Sequence, residues 1–288
     1  MTAIALLHTD IPPRIVDCFR NSSVEVQIQK NLQEPTDCSA VLIFGGDGTV
    51  HRYLSELHKL KIPVLVVPVG SGNDFAKALG ISSVKDALLA WKQFCTTGKN
   101  VQEIDLGVIK PMGQARSEAI LFGGVAAIGM DADANARANR MPAWLKGRGG
   151  YLLAGLQSLL SFKPVELSVT VGEREIRRSA FLLAIGNTHQ YGGGMRITPR
   201  ATMNDGLLDM CLVGKINKLK LLCWVPTIFF GGHLRLSGIE YVQARAVRIE
   251  SELELDVYAD GDFACKTPIE IQVLSRALPV IAPAPISL

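Results

Sequence analysis

The sequence predicts two parts in succession: an α/β domain on a parallel sheet, then antiparallel β structure. Two observations carry this. Near the start, wholly apolar runs of strand length, Val41 to Phe44 and Val64 to Val67, break at Gly45 and Gly70 and are each followed by a helical pattern. Continuous apolar strands alternating with helices indicate a parallel sheet covered on both faces. From about residue 101 the texture changes, and strand-like runs follow one another with turn signals between them.

Ile4 to Leu7 reads as a first buried strand, and Pro12 to Asn21 as a helix with proline near its start. Val24, Val26 and Ile28 alternate with polar residues, as in a half-buried strand. Helical patterns run from Val50 to Leu60 and from Asn73 to Leu79. The second part offers strands at Ile104 to Ile109, Ala119 to Val125, Val165 to Val171, Phe181 to Ile185, Leu207 to Val213, Val247 to Ile249, Leu253 to Tyr258 and Ile269 to Val273. Helices are expected near Asp131 to Asn139, Tyr151 to Leu160 and Lys218 to Phe229.

At 288 residues and 48% hydrophobic, the chain suits two ordinary domains with a core that needs no staples. A net charge of only +3 argues against a nucleic-acid binder and leaves room for weak attraction to anionic headgroups. The six cysteines form no CxxC pair, so free thiols in a reducing cytoplasm is the plain reading. The start lacks a basic signal region, and the apolar stretch Leu219 to Gly232 is too short to span a bilayer. A soluble or peripheral protein is expected.

Gly45-Gly46-Asp47-Gly48-Thr49 follows the strand VLIF. A strand ending in a glycine-rich turn before a helix can cradle phosphate, because glycine admits close backbone approach and the N–H groups face an anion. Asp47 beside phosphate would imply a bound cation or a managed proton; it could equally cap the helix. Gly70-Ser71-Gly72-Asn73-Asp74 follows the second strand in the same way, with Asn73 or Asp74 also able to cap. Turns at the ends of neighbouring parallel strands share the edge where open α/β sheets bind ligands.

GGDGTV followed by PVGSGNDFAKALG resembles the diacylglycerol kinase catalytic-domain family, which includes bacterial lipid kinases and relatives of the sphingosine kinases. The resemblance continues, in order, through Asp105-Leu106-Gly107, Gly129-Met130-Asp131, Asn187 with Tyr191-Gly192-Gly193-Gly194, Ile197-Thr198-Pro199, Asn204-Asp205-Gly206-Leu207-Leu208-Asp209 and Asp260-Gly261-Asp262. It implies an α/β nucleotide-binding domain, similar to NAD kinases and phosphofructokinases around the GGDGT turn, followed by an antiparallel β-sandwich. The implied bounds are 1–104 with the tail 278–288 for the first and 105–277 for the second, lipid-substrate domain. The implied activity is transfer of the ATP γ-phosphoryl group to a membrane-lipid hydroxyl, diacylglycerol-like or sphingoid, in phospholipid biosynthesis.

The resemblance also implies roles. Gly45, Gly46, Asp47, Gly48, Thr49, Ser71, Gly72, Asn73 and Asp74 would hold ATP, with Asp47 and Asp74 near a catalytic Mg2+. Asn204, Asp205, Leu207 and Asp209 would form a structural magnesium site of side-chain and carbonyl oxygens; Asn-Asp-Gly is equally a turn signal. Asp262 would be the general base, where the family has Glu, unless Asp260-Gly261-Asp262 is a hairpin turn with two solvated acids. Asp is shorter by about 1.5 Å, so Asp260 could serve instead, or the chain could be a catalytically degenerate nucleotide- or lipid-binding member. His51 and Arg52 stand where the family has Asn-Glu, and His8-Thr9-Asp10 replaces a glycine turn. Arg137 to Phe162, with Arg140, Trp144, Lys146, Arg148 and a leucine run, suits either a membrane-interface segment for peripheral contact or a core-packed helix. A homodimer is left open.

Overall fold

The computed structural model describes residues 2–7, 11–32, 38–113, 118–142 and 148–283. The chain forms two compact units: Met1–Leu106 with Met203–Asp205 and Ser275–Leu288, and Gly107–Thr202 with Gly206–Leu274.

The first unit is a parallel sheet with helices. Its strands are β1 (Thr2–Leu7), β2 (Glu25–Gln29), β3 (Ala40–Gly45) and β4 (Val64–Pro68). They lie in the order β4-β3-β1-β2, all parallel. The last strand of the chain, β15 (Ile269–Ile281), returns to pair parallel with β4 at Val280. β3 and β4 are buried throughout, as sheet-centre strands must be. β2 is an edge strand, and there Ile28 is exposed although Val24 and Val26 are buried.

The helices are α1 (Pro13–Arg20), α2 (Asp47–Leu60), α3 (Asp74–Ala78) and α4 (Val84–Thr97). The sequence reading omits α4. Ser83 caps it, accepting from the Asp86 N–H, while the Asp86 carboxylate accepts from the Ser82 N–H and the Ser83 hydroxyl. Gly98 ends α4 in the left-handed region. Trp91 is wholly buried and donates its indole N–H to the Phe19 carbonyl, anchoring α4 to α1.

The second unit is antiparallel. β5 (Val101–Pro111) enters it and pairs with β6 (Ile120–Phe122). β7 (Val125–Gly129), β8 (Val165–Val171), β9 (Arg174–Gly186), β10 (Leu208–Gly214), β11 (Ile239–Ala244), β12 (Ala246–Ser251), β13 (Asp256–Ala259) and β14 (Asp262–Lys266) follow. The path is β14-β13-β7-β9-β8-β12-β15, with β10 between β9 and β11. β7, β11 and β14 are strands that the sequence reading does not separate. Alternation divides β9 and β10 between two apolar clusters. Leu183, Ile185, Met210 and Leu212 enter the larger, and Leu182, Ala184, Cys211 and Val213 the smaller. Burial on both faces explains why these strands read as continuous apolar runs.

Helices α5 (Met130–Arg140), α6 (Arg148–Ser161) and α7 (Lys218–Trp224) belong to this unit. Pro226 ends the expected Lys218 to Phe229 helix early, and a 3-10 segment, Val225–Phe230, takes over. Among the described residues no helix is long and apolar enough to cross a membrane. His8-Thr9-Asp10, Trp144 and Lys146 lie outside the described residues.

Candidate active site

The parallel register sets Gly45 against Pro68, so the turns after β3 and β4 meet at one edge of the first unit. The Asp47 N–H donates to the Gly72 carbonyl at 3.1 Å, and the Val69 N–H to the Gly45 carbonyl at 3.3 Å. A Cβ on Gly46 would collide with the Gly72 carbonyl, and one on Gly70 would lie 2.6 Å from the Gly46 nitrogen. These glycines are required by close approach, not by backbone angle.

Asp47 opens α2, and its carboxylate reaches across to the second turn. It accepts from the Asp74 N–H at 3.1 Å and the Phe75 N–H at 2.9 Å. Asp47 thus caps α3, the neighbouring helix, rather than its own. Asn73 closes the turn on itself, accepting from the Gly70 N–H and donating to the Gly70 carbonyl. Asp74 is buried and paired with the Lys77 ammonium at 3.0 Å. Thr49 is buried against Gly45, so it contributes to the turn's shape rather than an exposed hydroxyl. Gly48 and Ser71 are the exposed members, and a Cβ on Gly48 would meet nothing within 4 Å. Arg52 is exposed on α2.

In the second unit, Asp260-Gly261 forms the two-residue turn of the β13–β14 hairpin, with φ of 50° and 94°. Both residues sit in the left-handed region that such turns use. Asp260 accepts from the N–H groups of Gly123 (2.8 Å), Gly124 (2.7 Å) and Val125 (3.1 Å). Asn187 holds the same glycine turn, donating from its side chain to the Gly123 carbonyl and from its backbone to that of Gly124. Asp260 therefore braces the glycine turn rather than standing as a solvated acid. Asp262 begins β14 and is exposed. Gly123 and Gly124 went unmarked in the sequence, although adjacent glycines between two apolar strands are a signal.

Asn204 and Asp205 lie exposed on a turn, whereas Asp209 is wholly buried on β10. Its two oxygens accept from the Tyr241 hydroxyl at 2.7 Å and the Gln243 amide at 3.3 Å. Burial, with Asp209 beside it, raises the Tyr241 pKa, so the phenol stays a donor. Arg200 lies over the Tyr241 ring at 5.5 Å, and its N–H donates to the hydroxyl. Asp209 is thus the centre of a protein network. Among the described residues no cluster of three or more acidic, His or Cys side chains could hold a metal.

The second unit also holds a cavity of about 350 Å³ on the smaller apolar cluster. Its walls include Met130, Leu156, Leu182, Ile197, Leu222 and His233. Pockets of this size take small ligands. His233 donates its Nε2–H to the Ile197 carbonyl (3.1 Å), while Nδ1 has no hydrogen-bond partner among the described residues. Burial lowers the His233 pKa, which favours the neutral ring.

Residues 15–109 match the diacylglycerol kinase catalytic domain, and residues 124–282 match the YegS C-terminal NAD kinase beta sandwich-like domain. The chain is 38% identical over 245 residues to a diacylglycerol kinase of Mycobacterium tuberculosis, covering 85% of this chain and 77% of the relative. Its fold is similar to the crystal structure of a diacylglycerol kinase from Bacillus anthracis str. Sterne, with TM-score 0.70 and 19% identity, covering 99% of this chain and 98% of the other. It is similar, at TM-score 0.56 and 17% identity, to an NAD kinase from Archaeoglobus fulgidus in complex with ATP, covering 97% of this chain and 92% of the other. An α/β unit with a glycine-turn edge, joined to an antiparallel β unit and matched by both family models, places the chain in the diacylglycerol kinase family of lipid kinases.

Proposed function

We propose that the chain transfers the terminal phosphoryl group of ATP to the hydroxyl of a membrane lipid. The observation that carries this is the apolar cavity of the second unit, walled by Leu, Ile, Met and Val side chains and suited to an aliphatic chain. Its about 350 Å³ would hold roughly a dozen methylenes, each taken at the ~30 Å³ of a water. The joined turns support a nucleotide site, with Gly48 and Ser71 presented to the phosphates and Gly46, Gly72 and Asn73 fixing the loop. Magnesium would arrive with the nucleotide and supply charge neutralisation.

In this reading the acceptor oxygen attacks the γ-phosphorus, the bond from γ-phosphorus to the β–γ bridging oxygen breaks and ADP leaves. Asp262 takes the hydroxyl proton, since its carboxylate is exposed whereas that of Asp260 is engaged by three N–H groups. Asp47 and Asp74 are positioning residues, one capping α3 and the other paired with Lys77.

The test is incubation with Mg2+ and labelled ATP over a mixed extract of diacylglycerols, sphingoid bases, polyprenols and phospholipids, with Asp262→Ala in parallel. A labelled lipid that fades in the variant supports the proposal and identifies the acceptor. Bound ATP with no labelled lipid would instead support a degenerate, binding-only member, which the shorter Asp262 side chain favours.

A further inference from the structure

Most of the large apolar side chains exposed among the described residues lie on elements that also wall the cavity. α6 exposes Leu153, Leu156 and Leu160, α7 exposes Leu219 and Leu222, and the 3-10 segment exposes Phe229 and Phe230. Phe230 is 85% exposed and Leu219 72%. Leu156 and Leu222 belong both to this surface and to the cavity wall. The Lys218 ammonium donates to the Leu160 carbonyl at 2.7 Å, tying α7 to the end of α6. Exposed apolar side chains gathered on adjoining elements mark an interaction site.

Charge identifies the partner. Residues 134–165 and 210–239, which contain α6, α7 and most of α5, carry nine of the chain's 30 Lys and Arg and none of its 27 Asp and Glu. The remaining 21 cations are outnumbered by the 27 acids. A nearly neutral chain thus gathers its positive excess on the elements that expose its leucines. Lys163, Lys215, Lys220 and Arg235 are exposed. Asp133 on α5 is met by Arg137 and Ser158, and Glu240 on β11 by Arg174 and Arg178. Leucine and phenylalanine beside basic side chains suit the interface of an anionic bilayer.

We infer that α6, α7 and the 3-10 segment form the surface on which the chain rests against an anionic membrane, with the mouth of the cavity turned to the lipid. A chain leaving the bilayer could then enter between Leu156 and Leu222 without crossing water. This rests on the lipid-acceptor reading above and assigns it a docking face.

The test is co-sedimentation with vesicles of phosphatidylcholine alone and of phosphatidylcholine with phosphatidylserine, without ATP. Wild type is expected to bind the serine-containing vesicles more tightly and to be released by salt. Leu219→Ser and Phe230→Ser, neither in the cavity wall, are each expected to weaken binding roughly tenfold. Lys220→Glu is expected to weaken it only on the anionic vesicles, and Leu253→Ser, at an exposed leucine elsewhere, to change nothing. Phosphorylation of a short-chain acceptor free in solution should be unchanged in all four. Equal binding to both vesicle types, no binding to either, or full binding by Leu219→Ser and Phe230→Ser would overturn the inference. Conversion of a dimer to a monomer by those variants, with vesicle binding intact, would make the face a contact between copies and overturn it too. Vesicle binding needs no turnover, so a failed kinase reading would leave this result standing on its own.

Discussion

Replacing Asp260 separates a brace from a base. Its carboxylate accepts three backbone N–H groups from Gly123, Gly124 and Val125. A hydrogen bond to a charged acceptor contributes about 1.5–3 kcal/mol. Three such bonds on a half-exposed turn are not additive, because water can replace part of them. We take the set at about 3 kcal/mol. Ala at a φ of 50° adds about 1 kcal/mol of backbone strain. Asp260→Ala should therefore cost about 4 kcal/mol, or a fall in melting temperature of roughly 8–16 °C for a chain of this size. Asp260→Asn keeps one acceptor oxygen and tolerates the left-handed backbone, so about half the bond loss, ~1.5 kcal/mol, is expected. Urea and thermal unfolding measure both. If Asp260→Asn melts with wild type while turnover collapses, Asp260 handles the acceptor's proton and the brace reading is wrong.

Gly46→Ala should part the two turns, weakening nucleotide binding tenfold or more, at the ~1–3 kcal/mol typical of overpacking. Gly48→Ala has open space around its Cβ and should leave the fold intact, with calorimetric titration comparing the two. His233 is held neutral, its pKa depressed from 6.5 by burial. Its contribution is complete above that value, and is lost as pH falls toward the folded pKa, because the unfolded chain takes up the proton first. The difference in melting temperature between wild type and His233→Gln should shift in wild type's disfavour below pH 6.5; a difference constant with pH would contradict the assignment. A Cβ on Gly155 meets nothing, and Gly155 lines the cavity. Gly155→Leu should leave stability unchanged or raised while increasing KM for long-chain acceptors several-fold and sparing short ones. An equal effect on both would argue against a chain in the cavity.

What could be read from the sequence followed from burial. β3 and β4 are continuous apolar runs because both faces of the sheet are covered, and their glycine turns meet at one edge. α4 is absent from the sequence reading although Ser83 and Asp86 spell a capping pair and its buried Ala87, Ala90 and Trp91 recur at helical spacing. β14 was missed because DFACK stays half-exposed and offers no alternation. The job of Asp47 is invisible in one dimension, since it depends on the register that sets Gly45 beside Pro68. The Asp-Gly turn signal at Asp260-Gly261 correctly marks a hairpin. What it cannot give is the partner, 135 or more residues earlier, whose N–H groups take the carboxylate. Likewise Asn204 to Asp209 reads as one oxygen-rich loop, but the strand starting at Leu208 buries Asp209 against Tyr241 and Gln243.

The most direct test of the central claim is single-turnover transfer from Mg-ATP to a defined lipid alcohol, with the product identified by mass spectrometry. Wild type is predicted to yield the lipid monophosphate and ADP in equal amounts, with Asp262→Ala slower by roughly 10²- to 10⁴-fold and its nucleotide affinity unchanged. ADP formed without a lipid phosphate, or an Asp262→Ala rate equal to wild type, would contradict the account.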